Sequence, residues 1–272
     1  MKQNLQDYLT NLWLGIKNNT RYLLNVKTKG NELKITEDYN TVFIDCFELD
    51  YKEKWDYEIF WPNPFHPEYL IQWTDSNQIE QWTNKQKNEH HIKLNASTKP
   101  MFFESISYVI PNAIGVIRTK KSWKYGIFQI TAKLPKGKHL WPAIWLAGYK
   151  SWPPEIDILE GYSRNNDNYK ELTTCIHYRD SNKIHKSFPS KNHRLPIDVC
   201  ENFIEYSLHW EKDFIKIYYN GYLVLHVRDK KYLNGMFEPQ QLILNNACEE
   251  KFSETNRTPF IIEKVKILQK FE

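Results

Sequence analysis

From residue 114 onward the chain is a succession of short β-branched or aromatic segments bounded by turn residues: 114–119, 126–134, 143–146, 155–160, 173–178, 203–210, 214–219, 222–227, 242–244 and 261–268. None repeats its apolar residues at helical spacing, so the crossover helices that a parallel sheet needs are missing. Many strands with almost no helix between them pack as an antiparallel sandwich or a barrel. At 272 residues, 41% hydrophobic and 15% aromatic, the chain can form one such domain around a large core. Only nine glycines are available for its turns, so Asn and Asp take many of those positions.

The first forty residues read differently. Leu5, Tyr8, Leu9, Leu12 and Ile16 share one face at helical spacing, which predicts a short amphipathic helix packed on the main domain. Residues 22–26 and 33–36, around the turn Lys29-Gly30-Asn31, then read as a hairpin. Residues 56–100, rich in Pro, Trp, Asn and Gln, read as long irregular connections with short strands. The expected division is therefore an N-terminal extension, 1–40, packed on a main domain, 41–272.

Charge and cysteine usage exclude several classes. The net charge is +4, with local basic clusters at 119–124 and 133–138 that read as solvated loops, so neither nucleic acid nor a membrane is an expected partner and the chain is expected to be a monomer. The most apolar stretch, 108–117, is broken by Pro111 and falls short of the roughly 18 residues that span a bilayer. The opening Met1-Lys2-Gln3-Asn4-Leu5-Gln6-Asp7 lacks the apolar core of a secretory leader. Cys46, Cys175, Cys200 and Cys248 are widely spaced and read as free thiols. His177, His185 and His193 are separated by loop-length gaps, so no metal site is expected there.

The segment Glu155-Ile156-Asp157-Ile158-Leu159-Glu160 threads three carboxylates through a strand that reads as buried. Carboxylates cost several kcal/mol to bury unpaired, so their concentration here points to chemistry. In a regular strand Glu155 and Asp157 share a face and Glu160 points the other way. A single β-bulge at Ile158-Leu159 brings Glu160 back beside the other two. Three acids so close cannot all ionise freely, and Asp157, in the middle, is expected to hydrogen-bond Glu155. Trp141 and Trp152 flank the strand and offer flat faces that suit pyranose rings, whereas Trp145, inside Ala-Ile-Trp-Leu, reads as a core residue.

These residues resemble glycoside hydrolase family 16, the jelly-roll endo-glycanases of laminarinase, agarase, carrageenase and lichenase type. The resemblance rests on Tyr125-Gly126-Ile127-Phe128 with Ala132-Lys133-Leu134-Pro135-Lys136-Gly137, on Leu140-Trp141-Pro142-Ala143-Ile144-Trp145-Leu146, and on Trp152-Pro153-Pro154 running into the acidic strand. Echoes follow in Ile176-His177-Tyr178, 206–210, 217–221 and 242–245. It implies an all-β fold: a concanavalin A-like jelly-roll sandwich of two antiparallel sheets, here with a short N-terminal helix and hairpin. It also implies retaining cleavage inside a β-linked polysaccharide, with Glu155 as nucleophile, Glu160 as acid/base, and His177 beside the sugar held by the nucleophile. Tyr178, Asn245 and Arg118 are further candidates for hydrogen bonds to an oligosaccharide or polysaccharide substrate. No cofactor is implied. A structural calcium ion occurs in some relatives, but Gln129 and Glu263 stand at two positions where their acidic residues are often found, and Asn246-Ala247-Cys248-Glu249-Glu250 replaces a small-residue stretch. A non-catalytic sugar-binding jelly roll and a transglycosylase remain the alternatives. Because polysaccharides lie outside cells, action there is expected, through a phage particle, non-classical export or a leader missing from this chain.

Overall fold

The structure, a computed structural model, describes residues 2–24, 33–57, 71–104, 107–166, 168–169, 171–249, 252 and 257–271. Helix α1 (Lys2–Leu24) comes first, followed by β1 (Tyr39–Asp45), β2 (Trp55–Asp56), β3 (Gln72–Thr74), β4 (Ile79–Asn84), β5 (Glu89–Leu94) and β6 (Ala96–Phe103). The chain continues as β7 (Tyr108–Ile114), β8 (Val116–Thr119), β9 (Gly126–Lys133), β10 (Leu140–Gly148), β11 (Glu155–Gly161) and β12 (Leu172–Arg179). It closes with β13 (His185–His193), β14 (Ile204–Glu211), β15 (Phe214–Tyr219), β16 (Tyr222–Val227), the one-turn α2 (Lys230–Leu233), β17 (Gln240–Cys248) and β18 (Phe260–Lys270).

Two large antiparallel sheets result. The first runs β16-β15-β14-β9-β18-β5-β4, with β1 also paired to β18, and the second runs β13-β12-β11-β10-β17-β8-β2. A small third sheet, β3-β7-β6, packs on β17. Period-two alternation turns one side of each large sheet inward. Phe128 and Ile130 of β9 and Tyr206, Leu208 and Trp210 of β14 meet Ile144, Leu146, Ile156, Leu159, Ile176, Leu242 and Leu244 from the second sheet in one continuous core. The opposite side of the second sheet carries a smaller apolar group that includes Ala143, Trp145, Ile243 and Ala247. Trp145 is therefore buried, as its sequence context suggested, on the outer side of the second sheet and not between the sheets.

The strand segments read from sequence fall on strands: 203–210, 214–219 and 222–227 match to within a residue, whereas β10 and β17 run several residues beyond 143–146 and 242–244. Two regions differ. Residues 72–103 hold β3 to β6, more regular structure than their composition announces. The strand β13 was not foreseen: its sequence is polar and contains Pro189, which lacks an N–H, and it lies at the edge of its sheet, where proline is tolerated.

The N-terminal extension departs furthest from expectation. Tyr22, Leu23 and Leu24 are the last turn of α1 and not the first strand of a hairpin; residues 25–32 of that hairpin lie outside the described residues. The helix also docks by the opposite face from the one its apolar pattern suggests. Leu5, Leu9 and Leu12 are exposed, while Asp7, Asn11 and Leu14 are buried. Asn11 brackets the backbone of His226, donating to its carbonyl at 2.7 Å and accepting from its N–H at 2.8 Å. One Asp7 oxygen accepts the N–H groups of both Arg228 and Asp229 at 2.6 Å. Strand β16 is the edge of the first sheet, and an edge presents backbone groups that only polar side chains can satisfy.

Candidate active site

The register of β11 fixes where its acids point. Against β12, Glu155 stands opposite His177, Asp157 opposite Cys175 and Glu160 opposite Thr173. His177, Cys175 and Thr173 are alternate residues of β12 and share a face, so the three acids share it too. The extra residue that makes this possible lies between Asp157 and Glu160. On the β10 side, Ile144 pairs with Leu159 and Trp145 with Asp157, so Ile158 is passed over. The first sheet supports this irregularity from below. Tyr219 donates its hydroxyl to the Ile158 carbonyl at 2.8 Å, and the Thr173 carbonyl lies 3.2 Å away.

Around the acids the side chains form a graded polar shell. Trp152 donates its indole N–H to Glu155 at 2.5 Å, and Trp141 donates to Glu160 at 3.1 Å. Tyr162 adds a second donor to the same Glu160 oxygen at 2.7 Å, with its ring stacked on Trp141. His177 Nε2 is 3.3 Å from Asp157 and 3.7 Å from Glu155, and its Nδ1 is 2.9 Å from His185 Nε2. Burial pushes Glu155 well above the usual carboxylate range, reinforced by the charge of Asp157, while His177 and the Trp152 N–H pull it back. Burial and the charge of Glu160 push Asp157 up as well. Burial beside Glu160 likewise raises the Tyr162 phenol, keeping it a neutral donor.

Of the other residues singled out in the sequence, Asn245 is on the acid-bearing face, in register through Ala143 with Glu160, and its side-chain oxygen accepts the Trp145 N–H at 2.7 Å. Arg118 stands on the same face opposite Ile243 and reaches Asp56 at 3.3 Å. Tyr178 must be corrected. It alternates with His177, is 2% exposed, and packs edge-on against Tyr232 in the inter-sheet core, out of reach of any substrate on the acid face. Trp141 and Trp152 bond the acids directly, a role beyond the stacking expected of them. Tyr162 joins the site without having been picked out, and so do Cys175 and His185, which the sequence offered only as a free thiol and a member of a loop-spaced histidine series. The i, i+2 spacing from Glu160 was a signal for Tyr162, whereas His185 enters through a pairing between strands that no local pattern reveals. Gln129 and Glu263 have separate neighbours, Glu205 and His91.

A two-sheet β-sandwich with a bulged strand of three carboxylates on one open face defines a class of carbohydrate-active proteins. Residues 66–246 match the sequence profile of Glycosyl hydrolases family 16, and the chain belongs to that family. A glucan endo-1,3-beta-glucosidase of Cryptopygus antarcticus is 33% identical over 101 residues, covering 35% of this chain and 36% of that protein. A beta-glucanase of Rhodothermus marinus is 30% identical over 185 residues, 62% of this chain and 59% of that protein. The chain thus spans between about a third and three fifths of the length of these relatives. Among solved structures, LamAcat from Zobellia galactanivorans superposes with a TM-score of 0.66 at 25% identity, over 85% of this chain and 98% of that one. SCLam, a non-specific endo-beta-1,3(4)-glucanase, superposes with a TM-score of 0.70 at 23% identity over 90% and 97%, a likeness of fold. No described helix is long and apolar enough to cross a membrane.

Proposed function

We propose that the chain is an endo-acting glycoside hydrolase that cleaves β-linked glucan with retention of configuration. The observation that supports this best is the alignment of Glu155, Asp157 and Glu160 along one face through the Ile158 bulge. In this reading Glu155 attacks the anomeric carbon while Glu160 protonates the departing oxygen; Glu160 then takes a proton from the water that releases the glycosyl-enzyme. Burial and mutual repulsion raise both carboxyls of the Glu155–Asp157 pair, so it retains a proton, while the Trp152 indole N–H favours the Glu155 anion. The indole and phenol donors on Glu160 fix its carboxyl toward the cleaved bond.

The names of the relatives favour β-1,3-glucan as the polymer. One relative, from Penaeus monodon and 32% identical over 123 residues, is a beta-1,3-glucan-binding protein, so a cleft that binds without cutting is the second reading. Transfer of the glycosyl unit to another sugar would use the same carboxylates. Incubation with laminarin, a mixed-linkage glucan and agar, followed by reducing-end and chromatographic assays, separates the three. Hydrolysis should yield several oligosaccharide lengths early, as internal cutting does. Glu155→Ala and Glu160→Ala should each lose about 10²–10⁴-fold in kcat. Azide should rescue the first with inverted product and the second with retained product. Full turnover in Glu155→Ala, or binding with no cleavage of any polymer, would overturn the proposal.

A further inference from the structure

The face that carries the acids also gathers an aspartate, a cysteine and a histidine that glycoside cleavage does not need as a set. Cys175 faces Asp157 across the β11–β12 ladder, and His177 follows it two residues on. One donor atom from each, an Asp157 oxygen, the Cys175 sulfur and a His177 ring nitrogen, all lie within 4.8 Å of one another. The His177 Nε2 to Asp157 Oδ2 separation is 3.3 Å, yet this buried oxygen accepts no hydrogen bond among the described residues. Two atoms this close and not bonded to each other are placed as two ligands of a third body would be. Around a tetrahedral zinc, bond lengths of about 2.0–2.3 Å set neighbouring ligand atoms roughly 3.3–3.8 Å apart.

The surroundings favour that use of the histidine. His177 Nδ1 lies 2.9 Å from His185 Nε2, and in the tautomer that donates Nδ1–H to His185 the Nε2 lone pair is free for a cation. Metal-binding histidines are ordinarily held by such an outer partner. His185 is itself fixed against Trp152, 4.6 Å between ring centroids. His193, the third member of the sequence series, is turned into the core against Tyr219, so the histidine run is not the ligand set.

We propose that Asp157, Cys175 and His177 form a binding site for a borderline-soft divalent cation, zinc fitting best, and that its occupation switches the carbohydrate site off. Mixed oxygen, sulfur and nitrogen donors select zinc-like ions, whereas calcium and magnesium require oxygen shells that this site lacks. The Cys175 sulfur, within 4.8 Å of the other two donor atoms, contacts the Phe188 carbonyl at 3.4 Å and would exchange that contact for the cation. Glu155, with Oε1 3.7 Å from His177 Nε2, borders the site. A cation there engages Asp157 and neutralises Glu155, so it inhibits.

The inhibition rests on the proposed hydrolase reading, whereas the binding does not, and the test reads them separately. Calorimetric titration of the full chain with zinc chloride should give one saturable site. The cobalt-loaded protein should show a thiolate-to-metal charge-transfer band. Cys175→Ser should weaken zinc at least tenfold and abolish the band, and Asp157→Asn should weaken zinc while keeping the band. Cys46→Ser, away from the site, should change neither. Circular dichroism checks that each variant is folded. In hydrolysis of the best polymer, zinc should inhibit at its binding midpoint, EDTA should reverse it, and Cys175→Ser should be resistant relative to its own zinc-free rate. Saturable binding without any hydrolase activity refutes the enzyme reading alone. No saturable binding up to about millimolar zinc, or equal affinity in folded Cys175→Ser and Asp157→Asn, overturns the site.

Discussion

Replacing Tyr219 by Phe tests whether the bulge that aims Glu160 is held from the other sheet. The ring of Tyr219 is fully buried, edge-on to Tyr206 at 5.3 Å and to His193 at 5.9 Å, and Phe preserves those contacts. Only the hydroxyl goes, which leaves the Ile158 carbonyl without the donor now 2.8 Å away. A buried acceptor stripped of its donor costs about 1–3 kcal/mol. At about 2–4 °C per kcal/mol for a chain of this size, Tm should fall by about 2–12 °C. The catalytic consequence is larger. Regular pairing through Ile158 would turn Glu160 to the other face, and a partial relaxation that displaces its carboxyl by about 1 Å is worth about 10²-fold in rate. We expect kcat on the best glucan to fall about 10–100-fold with KM little changed, because the acid-face side chains of β10 and β17 are untouched. Tyr206→Phe is the control: its buried hydroxyl has no hydrogen-bond partner among the described residues, so its loss should leave Tm and kcat at or above wild type. A Tyr219→Phe protein with lowered Tm but wild-type kcat would show that the hydroxyl supports the core and not the aim of Glu160. Wild-type values of both would refute the reasoning altogether.

Three further perturbations probe the acids and the helix. Trp152→Phe removes the N–H that favours the Glu155 anion, a bond worth about 1.5–3 kcal/mol; kcat/KM should drop about 10–150-fold on the acid side of its pH profile and recover as pH rises, and an equal loss at every pH would contradict this. Asp157 is held above the usual carboxylate range in the fold, so the stability tied to it is complete below its unfolded value and is lost as pH rises through its folded value. Asp157→Asn should therefore resist urea better than wild type at pH 8, with the gap closing toward pH 4; a gap that does not depend on pH would refute the assignment. Asn11→Ala should cost about 1–3 kcal/mol and speed hydrogen exchange across α1 without altering turnover, and unchanged exchange would show that the helix is held otherwise.

Where the sequence reading succeeded, one local period was enough. From β8 to β18 every strand but the polar β13 announces itself by β-branched and aromatic residues, and the bulge follows from the odd spacing between Asp157 and Glu160 once the three acids must share a face. It failed where the answer depended on a partner far away in the chain. Tyr178 and His177 are adjacent and equally able to bond a sugar, yet the pairing of His177 with Glu155 sends Tyr178 to the core, and no property of either residue foretells that parity. Helix α1 inverted its apparent amphipathicity for a similar reason: apolar spacing identifies a face that prefers an apolar surface, but the surface offered was the backbone of an edge strand, for which Asp7 and Asn11 are the better match. Trp141 and Trp152 illustrate the same limit in the site itself. Their flat faces were legible from composition; that each indole N–H closes on one of the two catalytic candidates depends on β10 and the turn before β11 meeting the bulged strand from opposite ends. The chemistry is thus legible in β11 alone, whereas the donors that distinguish Glu155 from Glu160 are assembled only when the sheet closes around it.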